Sequence, residues 1–141
     1  MPVIVEPRYD IAALEADLGR VYADFPGRSA ADCVRAIQDS LRSGGVFYLG
    51  EFNGKPVAGA LVSGPADTRR IQLVAVRPAT RNRGVSVRLI DEIARLEHLT
   101  GAQVLVIAPG GEQAANVLSR LGFVPDPRQP DLLQRPLGPA G

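Results

Sequence analysis

The sequence predicts a single α/β domain built on a mixed, mostly antiparallel sheet. Three observations support this fold class. Two apolar runs flank Asn53-Gly54, a pair typical of a tight β-hairpin turn. A third apolar run over residues 71–77 follows a second turn, so three consecutive strands form a meander. A helical pattern and a further apolar run at 103–108 come next, which indicates a crossover between two parallel strands.

The segment before the hairpin predicts one strand and two helices. Residues 2–5 form a short strand, and apolar residues at helical spacing predict a helix over 11–24. Residues 25–27, with their proline and glycine, break this helix. Ser29 then caps a second helix, which ends near residue 43.

The remaining elements alternate between strands and helices. The hairpin strands cover 46–52 and 56–63, and the crossover helix covers 85–98. The run at 103–108 lacks polar alternation, which predicts a strand buried on both faces. A short helix over 112–121, two final strands at 123–124 and 132–137, and a Pro-rich, irregular, edge-like tail over 125–141 complete the order β-α-α-β-β-β-α-β-α-β-β.

Composition limits the function classes. The chain has 141 residues, 45% of them apolar and 22% charged, which fits one soluble domain over 1–141. A net charge of +1 gives no broad basic field for nucleic acid. We expect no membrane helix, no signal peptide and hence a cytoplasmic location. The single Cys33 fits a buried structural thiol and the lone His98 a solvent-facing helix end, so no metal site is predicted.

The basic turn over residues 81–86 carries the strongest functional signal. Its sequence is Arg81-Asn82-Arg83-Gly84-Val85-Ser86, placed between a strand and a helix. Backbone N–H groups and the positive end of the helix dipole converge at such a turn and favour a phosphate group. Arginines add cations with bidentate geometry. The turn therefore predicts a ligand that carries a pyrophosphate.

The turn and its neighbours resemble the GNAT superfamily of acetyl-CoA-dependent N-acetyltransferases. That family has Arg/Gln-x-x-Gly-x-Gly/Ala after a strand ending in Val-x-Pro, which corresponds here to residues 76–86 with Ser86 at the last small position. Residues 116–123 also match its Asn-x-x-x-x-x-Gly-Phe ending. The resemblance implies a GNAT fold that binds acetyl-CoA or CoA.

The resemblance also implies how the cofactor would lie. Backbone groups of Val74 and Val76 would pair with the pantetheine arm, and Asn116 would reach it from the other side. The pyrophosphate would lie against the residues of the turn, namely Arg81, Asn82, Arg83, Gly84, Val85 and Ser86.

The acid–base residues that many family members use are absent at the matching positions. Leu118 stands where those members place a Tyr that protonates the leaving thiolate, and Gln72 stands on the central strand, where an acid often serves as base. Glu51 and Glu112 are distant candidates that fit solvated loop carboxylates. The catalytic residues therefore stay unknown, although positioning alone can assist amine attack on a thioester.

A narrower resemblance is to the PanZ (PanM) subgroup, which binds acetyl-CoA and acts on the aspartate decarboxylase proenzyme of pantothenate and CoA biosynthesis. Its Val-Arg-x-x-Thr-Arg-x-Arg-Gly-Val signature matches residues 76–85 at every specified position. The subgroup also has a Tyr followed by Phe-Asn at the first hairpin, as Tyr48, Phe52 and Asn53 are here. The resemblance implies partner contacts at Tyr48, Asn53, Thr80 and Arg81.

Three functions therefore remain open at the level of sequence. The first is an acetyl-CoA sensor and maturation factor for the decarboxylase precursor. The second is an N-acetyltransferase on a small-molecule or protein amine, with its substrate held between residues 22–45 and the strand at 103–108. The third is an interaction domain that binds no nucleotide.

Overall fold

The computed structural model describes residues 2–81 and 83–138 of the chain. Within these ranges it contains seven strands: β1 (Ile4–Arg8), β2 (Val46–Phe52), β3 (Lys55–Ser63), β4 (Thr68–Val76), β5 (Val104–Ile107), β6 (Val124–Asp126) and β7 (Gln129–Pro136). The α-helices in the same ranges are α1 (Glu15–Val21), α2 (Ala30–Arg42), α3 (Val85–Leu99) and α4 (Glu112–Arg120). Short 3₁₀ turns precede α1 at Ala12–Leu14 and α3 at Pro78–Thr80.

All seven strands belong to one sheet in the order β1-β2-β3-β4-β5-β7-β6. The β4–β5 pair is parallel and every other neighbouring pair is antiparallel. The predicted fold class, with its meander and its parallel crossover through α3, is confirmed. No helix in the described part of the chain is long and apolar enough to cross a membrane.

Helices cover the two faces of the sheet unequally. On one face, α3 packs through Leu89, Ile90 and Ile93 against residues of β1 to β5. On the other face, α1 and α2 pack through Leu18, Val21 and other apolar residues, but their contacts lie over β2 and β3 rather than β5. The edge of the sheet around β5 is therefore less covered on the second face.

Local signals explain the well-predicted boundaries. The Ser29 hydroxyl accepts a hydrogen bond from the Asp32 N–H at 3.1 Å, so it caps α2 as expected. Asn53 and Gly54 have φ angles of +51° and +75°, the positive values that a two-residue hairpin turn requires. Cys33 is fully buried in α2.

Three predicted boundaries in the first half of the chain need correction. The first strand covers 4–8 rather than 2–5. The helix predicted over 11–24 is shorter, because Asp10 accepts from the Ala12 N–H and fixes a 3₁₀ turn before α1, which ends at Val21. Strand β4 begins at Thr68, three residues before the prediction, because the polar Arg69 and Arg70 hid its first part.

Two predictions about the second half were also wrong. Strand β5 is not buried on both faces: Leu105 and Ile107 are buried against α3, whereas Val104 and Val106 are only half-buried on the less covered face. The strand predicted at 132–137 is present as part of β7, but it is not edge-like, because β7 lies inside the sheet between β5 and β6. Its prolines are near the ends of the strand, where a missing N–H is best tolerated.

Candidate active site and cofactor cleft

A bulge in the middle of β4 separates this strand from β5. Gly59 pairs with Ala75 and Leu61 with Gln72, so Leu73 and Val74 together oppose Ala60 alone. Leu73 has a φ of +52°, a strained value for a bulky residue. Pairing between β4 and β5 ends at Ile71 and Ile107, just before the bulge. The second half of β4 therefore diverges from β5 and opens a cleft in the sheet.

A buried tyrosine holds the bulge in place. The hydroxyl of Tyr22, which follows α1, donates to the Leu73 carbonyl at 2.7 Å. Burial raises the pKa of Tyr22 well above its usual value, so this hydroxyl keeps its proton. Gly59 of β3 leaves room for the side chains of Tyr22 and Phe47. A Cβ at this position would lie 3.3 Å from the Tyr22 hydroxyl and 2.3 Å from Cζ of Phe47.

The free edge of β4 offers backbone groups to the cleft. The Arg77 N–H donates to Val57 of β3 at 2.7 Å, so Ala75 and Arg77 direct their backbone groups towards β3. By strand alternation, Val74 and Val76 direct theirs to the opposite edge. The Val76 carbonyl accepts from Nε of Arg81 at 3.1 Å, in agreement with this orientation. The two residues predicted to pair with pantetheine thus face the cleft.

The larger part of the cleft is a cavity of about 600 Å³, which we call the proximal cavity. The connection after α1 lines it through Asp24, Phe25 and Pro26, β4 through residues 74–76, and the start of α3 through residues 84–87. Thr80, Arg81 and Val117 also line this cavity. The strand edge and the helix start therefore border one space.

The start of α3 is arranged to receive an anion. Gly84 precedes the helix with a φ of +74°, a left-handed conformation that suits glycine, and its carbonyl accepts the first helical bond from the Arg88 N–H at 3.1 Å. No side chain from the described residues caps this helix. The first N–H groups of α3 are free of such a cap, and the helix dipole adds positive potential at the same place.

Arg81 spans the mouth of the proximal cavity. Its guanidinium donates to both carboxylate oxygens of Asp24, at 2.6 Å from Nη1 to one of them, while its Nε holds the Val76 carbonyl. The hydrogen bonds from Arg81 lower the pKa of Asp24, which stays ionised at neutral pH. This pair ties the α1–α2 connection to the basic turn.

A second space, the distal cavity, lies beyond the bulge and measures about 410 Å³. Residues 71–74 of β4 line one side and residues 107–110 the other, so it occupies the gap where the two strands separate. Ala114, Val117 and Leu118 of α4 line a further wall. Phe25, Pro26, Val74, Ser86 and Val117 line both cavities, which makes the two spaces continuous.

A family model described as the acetyltransferase (GNAT) domain of PanZ matches residues 12–123, most of the chain and both cavities. The chain belongs to the PanZ family of GNAT domains. No curated protein sequence matches the chain.

Solved structures of GNAT proteins share the fold at low identity. A GNAT family N-acetyltransferase from Escherichia coli in complex with CoA has a TM-score of 0.75 and 15% identity, over 96% of this chain and 82% of that one. A GNAT family acetyltransferase from Elizabethkingia anophelis with acetyl-CoA bound has a TM-score of 0.72 and 16% identity, over 96% and 98% of the two chains. The fold is therefore one in which other proteins bind CoA-type ligands.

The remaining predicted cofactor residues differ in their exposure and in whether they line the cleft. Val85 is buried and Ser86 half-buried at the start of α3, and Arg83 is exposed in the turn beside Gly84. Asn116 is exposed on α4 and does not line either cavity, although its neighbour Val117 lines both. The predicted contact of Asn82 lies outside the described residues.

The candidate bases from the sequence lie apart from the cleft. Glu51 of β2 pairs with Arg8 at 3.3 Å and lines neither cavity. Glu112 is exposed in the first turn of α4 and also lines neither. Gln72 and Leu118 do line the distal cavity. Among the described residues that line the two cavities, Asp24 is the only acid, and its bonds to Arg81 make it a poor base.

Of the predicted partner residues, Tyr48 is placed in the core. Its side chain is 2% exposed, and its hydroxyl donates to the carboxylate of Glu97, itself 3% exposed. The second oxygen of Glu97 accepts from Nε of Arg69 at 2.8 Å. Tyr48 cannot present its side chain to a partner in this conformation, and we read it as a residue that stabilises the sheet against α3.

The other predicted partner residues lie at the cleft end of the sheet. Asn53 is exposed at the β2–β3 turn, and Arg81 is exposed just after the 3₁₀ turn that follows Arg77. Thr80 is half-buried and its hydroxyl donates to the Arg77 carbonyl at 2.9 Å. The bond from Arg77 to Val57 ties the hairpin to the turn before α3.

Sequence reasoning missed four residues that shape the cleft. Tyr22, Asp24 and Phe25 lie at a predicted helix end and chain break, and nothing in their sequence shows that this connection lies over β4. Leu73 has the pattern of an ordinary strand residue, since no glycine marks the bulge. The cluster of polar and aromatic residues directly after α1 is the sequence signal that could have indicated a site there.

Proposed function

We propose that the chain binds acetyl-CoA or CoA in the cleft between β4 and β5. The observation that carries this proposal is the bulge at Leu73, which exposes the strand edge at Val74 and Val76 next to the start of α3, where no described side chain caps the helix. The pyrophosphate would lie against the amides of Arg83 to Ser86. The pantetheine would add to the free edge of β4 as an extra strand, with its thioester at the bulge.

Binding of this ligand requires Arg81 to move or to share its contacts. The side chain of Arg81 donates a hydrogen bond to the Val76 carbonyl, which is the acceptor proposed for the pantetheine. It also forms an ion pair with Asp24. A pyrophosphate is a stronger anionic partner than one exposed carboxylate, because it offers several charged oxygens in bidentate geometry. The ligand would therefore draw Arg81 away from Asp24 and release the α1–α2 connection.

We further propose that the bound state serves as a signal rather than as a step of catalysis. The chain would act as a PanZ-like sensor and maturation factor for the aspartate decarboxylase proenzyme. The described linings of the two cavities support this role, since their single acid is paired and Leu118 supplies no proton. Thr80 and Arg81 line the proximal cavity, and the bond from Arg77 to Val57 joins this turn to the hairpin that carries Asn53, so a ligand-dependent surface for the precursor would form across the turn and the hairpin.

An N-acetyltransferase acting on a small-molecule or protein amine is the second candidate. The distal cavity favours it, because the cavity continues from the proposed thioester position past residues 107–110 and could admit an acceptor. Such an enzyme would depend on positioning and on a neutral amine, since the described lining offers no free base.

The test is to mix the chain with purified aspartate decarboxylase precursor, with and without acetyl-CoA. Complex formation is followed by size-exclusion chromatography and precursor cleavage by gel electrophoresis. We expect a complex and faster cleavage only with acetyl-CoA, and a weaker complex for Asn53→Gly, which keeps the positive φ of the turn but removes the amide side chain. Asp67→Ala, in the turn at the opposite end of β4, is the matched control.

Two outcomes oppose the sensor role. A complex that forms equally well without acetyl-CoA would remove the signalling step. Thiol release from acetyl-CoA with an added amine, together with no precursor complex, would favour the acetyltransferase instead.

A further inference from the structure

The distal cavity is larger and more apolar than an acetyl group needs. Its volume is about 410 Å³. An acetyl group occupies about the space of two water molecules, each of which takes roughly 30 Å³ of liquid. The walls are formed mainly by aliphatic and aromatic groups such as Phe25, Ile107, Val117 and Leu118.

Charge separates the two classes of group that could fill this space. Gln72 and Ser86 are the only polar side chains among the described residues that line the distal cavity, and none of these residues is charged. A protonated amine placed here would lose its hydration without gaining a carboxylate partner, which is strongly unfavourable. An aliphatic group would instead exchange water for apolar contacts.

The position of the cavity indicates where such a group would be attached. The five residues common to both cavities join the proximal cavity to the distal one, and Val74 of the bulge is the β4 residue among them. A pantetheine arm that runs along the edge from Val76 to Val74 delivers its thioester to this junction. The acyl group is then the part of the ligand that enters the distal cavity.

We propose that the distal cavity is an acyl-chain site, and that the chain binds CoA thioesters of four- to six-carbon aliphatic acids more tightly than acetyl-CoA. This inference rests on the proposed binding of CoA. Leu118, which is buried in α4 and faces this space, contributes to the site as an apolar wall. The molecule would then respond to short-chain acyl-CoA thioesters as well as to acetyl-CoA.

Isothermal titration calorimetry with CoA, acetyl-, propionyl-, butyryl- and hexanoyl-CoA tests the proposal. Each fully buried methylene is worth about 0.8 kcal/mol, or roughly fourfold in affinity. Allowing for partial exposure, we expect butyryl-CoA to bind about tenfold more tightly than acetyl-CoA, on the basis of the same value. The gain should level off once the cavity is full.

Two variants on α4 test whether the higher affinity for butyryl-CoA arises in this cavity. Ala114→Leu adds a side chain to the wall and should reduce the butyryl-to-acetyl affinity ratio from about ten towards one. Gln113→Leu adds the same side chain at an exposed neighbour that does not line the cavity, and should keep the ratio. A ratio that survives in Ala114→Leu would place the acyl chain elsewhere and overturn the proposal.

The titration also distinguishes failure of the acyl-chain site from failure of the proposed CoA binding. Binding of CoA with no increase from acetyl- to butyryl-CoA would overturn the acyl-chain site and leave the proposed function intact. No binding of any CoA species would overturn both.

Discussion

The two halves of β4 differ in what they contact, although they belong to one strand. The first half, residues 68–71, pairs with β3 and β5 and is part of the closed sheet. The second half, residues 73–76, keeps β3 but leaves β5 and lines the proposed cofactor cleft. The bulge at Leu73 is the point of change.

Each half has its own buried polar anchor. In the first half, Arg69 bonds Glu97 of α3 and the carbonyls of Val62 and Gly64, so it fixes the sheet to the helix. In the second half, the Tyr22 hydroxyl bonds the Leu73 carbonyl and holds the bulge. A single extra residue thus converts half of a core strand into a free edge that borders the cleft. Loss of either anchor should affect one half more than the other.

The largest expected effect is on stability, from Arg69→Met. The Arg69 side chain is 12% exposed and its loss leaves the Glu97 carboxylate buried without its cation. Breaking such a pair costs about 3 to 5 kcal/mol in the free energy of unfolding. Urea denaturation should show this loss, with partial recovery in the double variant Arg69→Met/Glu97→Gln, which also removes the charge.

Arg70→Met is the matched control, since Arg70 is exposed on the same half of β4. Its stability should stay within about 0.5 kcal/mol of the parent chain, as for most surface substitutions. Equal losses for Arg69 and Arg70 would contradict the role given to the buried pair.

Two tyrosine variants should separate stability from binding. Tyr22→Phe removes the bond to Leu73 and should lower the free energy of unfolding by about 1 to 2 kcal/mol, because a partly buried carbonyl loses its donor. It should also weaken acetyl-CoA binding, since the bulge is less well held. Tyr48→Phe should lower stability to a similar degree without weakening binding, because its hydroxyl bonds Glu97 of the first anchor and Tyr48 lines neither cavity.

Chemical denaturation and calorimetry on both variants check this difference. If Tyr48→Phe weakened acetyl-CoA binding as much as Tyr22→Phe, the two halves of β4 would not be independent.

A smaller effect, of opposite sign, is expected from Asp24→Asn. Removal of the carboxylate frees Arg81 and takes a negative charge from the mouth of the proximal cavity. Because exposed ion pairs are weak, acetyl-CoA affinity should rise only about two- to fivefold. The increase should shrink at high salt, which screens exposed charges. Weaker binding by Asp24→Asn would show that Asp24 positions Arg81 for the ligand instead of competing with it.

The smallest effect concerns alkaline pH. Burial is the main cause that raises the pKa of both Tyr22 and Tyr48, so both phenols stay protonated in the folded chain where the unfolded chain ionises. Their contribution to stability is therefore complete below a pH of about 10, the usual tyrosine pKa, and declines above it. Thermal unfolding between pH 8 and 11 should show this decline, and a variant with phenylalanine at both positions should show less of it. Equal declines would contradict the account.

The fold and the position of the turn before α3 were predictable because their signals are local. Asn53-Gly54 specifies a turn through its positive φ angles, and Gly84 marks the start of a helix in the same way. The bulge was not predictable, because Leu73 and Val74 look like any apolar strand residues and the cause of the bulge includes a hydroxyl 51 positions away.

Contacts between distant residues explain the other differences. The pair of Arg81 with Asp24 joins residues 57 positions apart and is invisible to any local pattern. The burial of Tyr48 followed from its strand, but its bond to Glu97 depends on where α3 ends against the sheet. The early start of β4 was hidden because Arg69 is a charged residue in a core position, and only its ion pair with Glu97 makes that position acceptable.

Calorimetric titration of acetyl-CoA into the parent chain, Arg83→Glu and Arg70→Glu tests the central claim most directly. Both variants reverse one exposed arginine, the first beside the start of α3 and the second on the paired half of β4. We predict that the parent chain binds acetyl-CoA. The affinity should fall at least about tenfold in Arg83→Glu, because a charge-assisted contact of about 1.5 to 3 kcal/mol is replaced by repulsion. The affinity should change little in Arg70→Glu. No binding to the parent chain, or equal losses in both variants, would contradict the assignment of the second half of β4 and its adjoining turn as the CoA site.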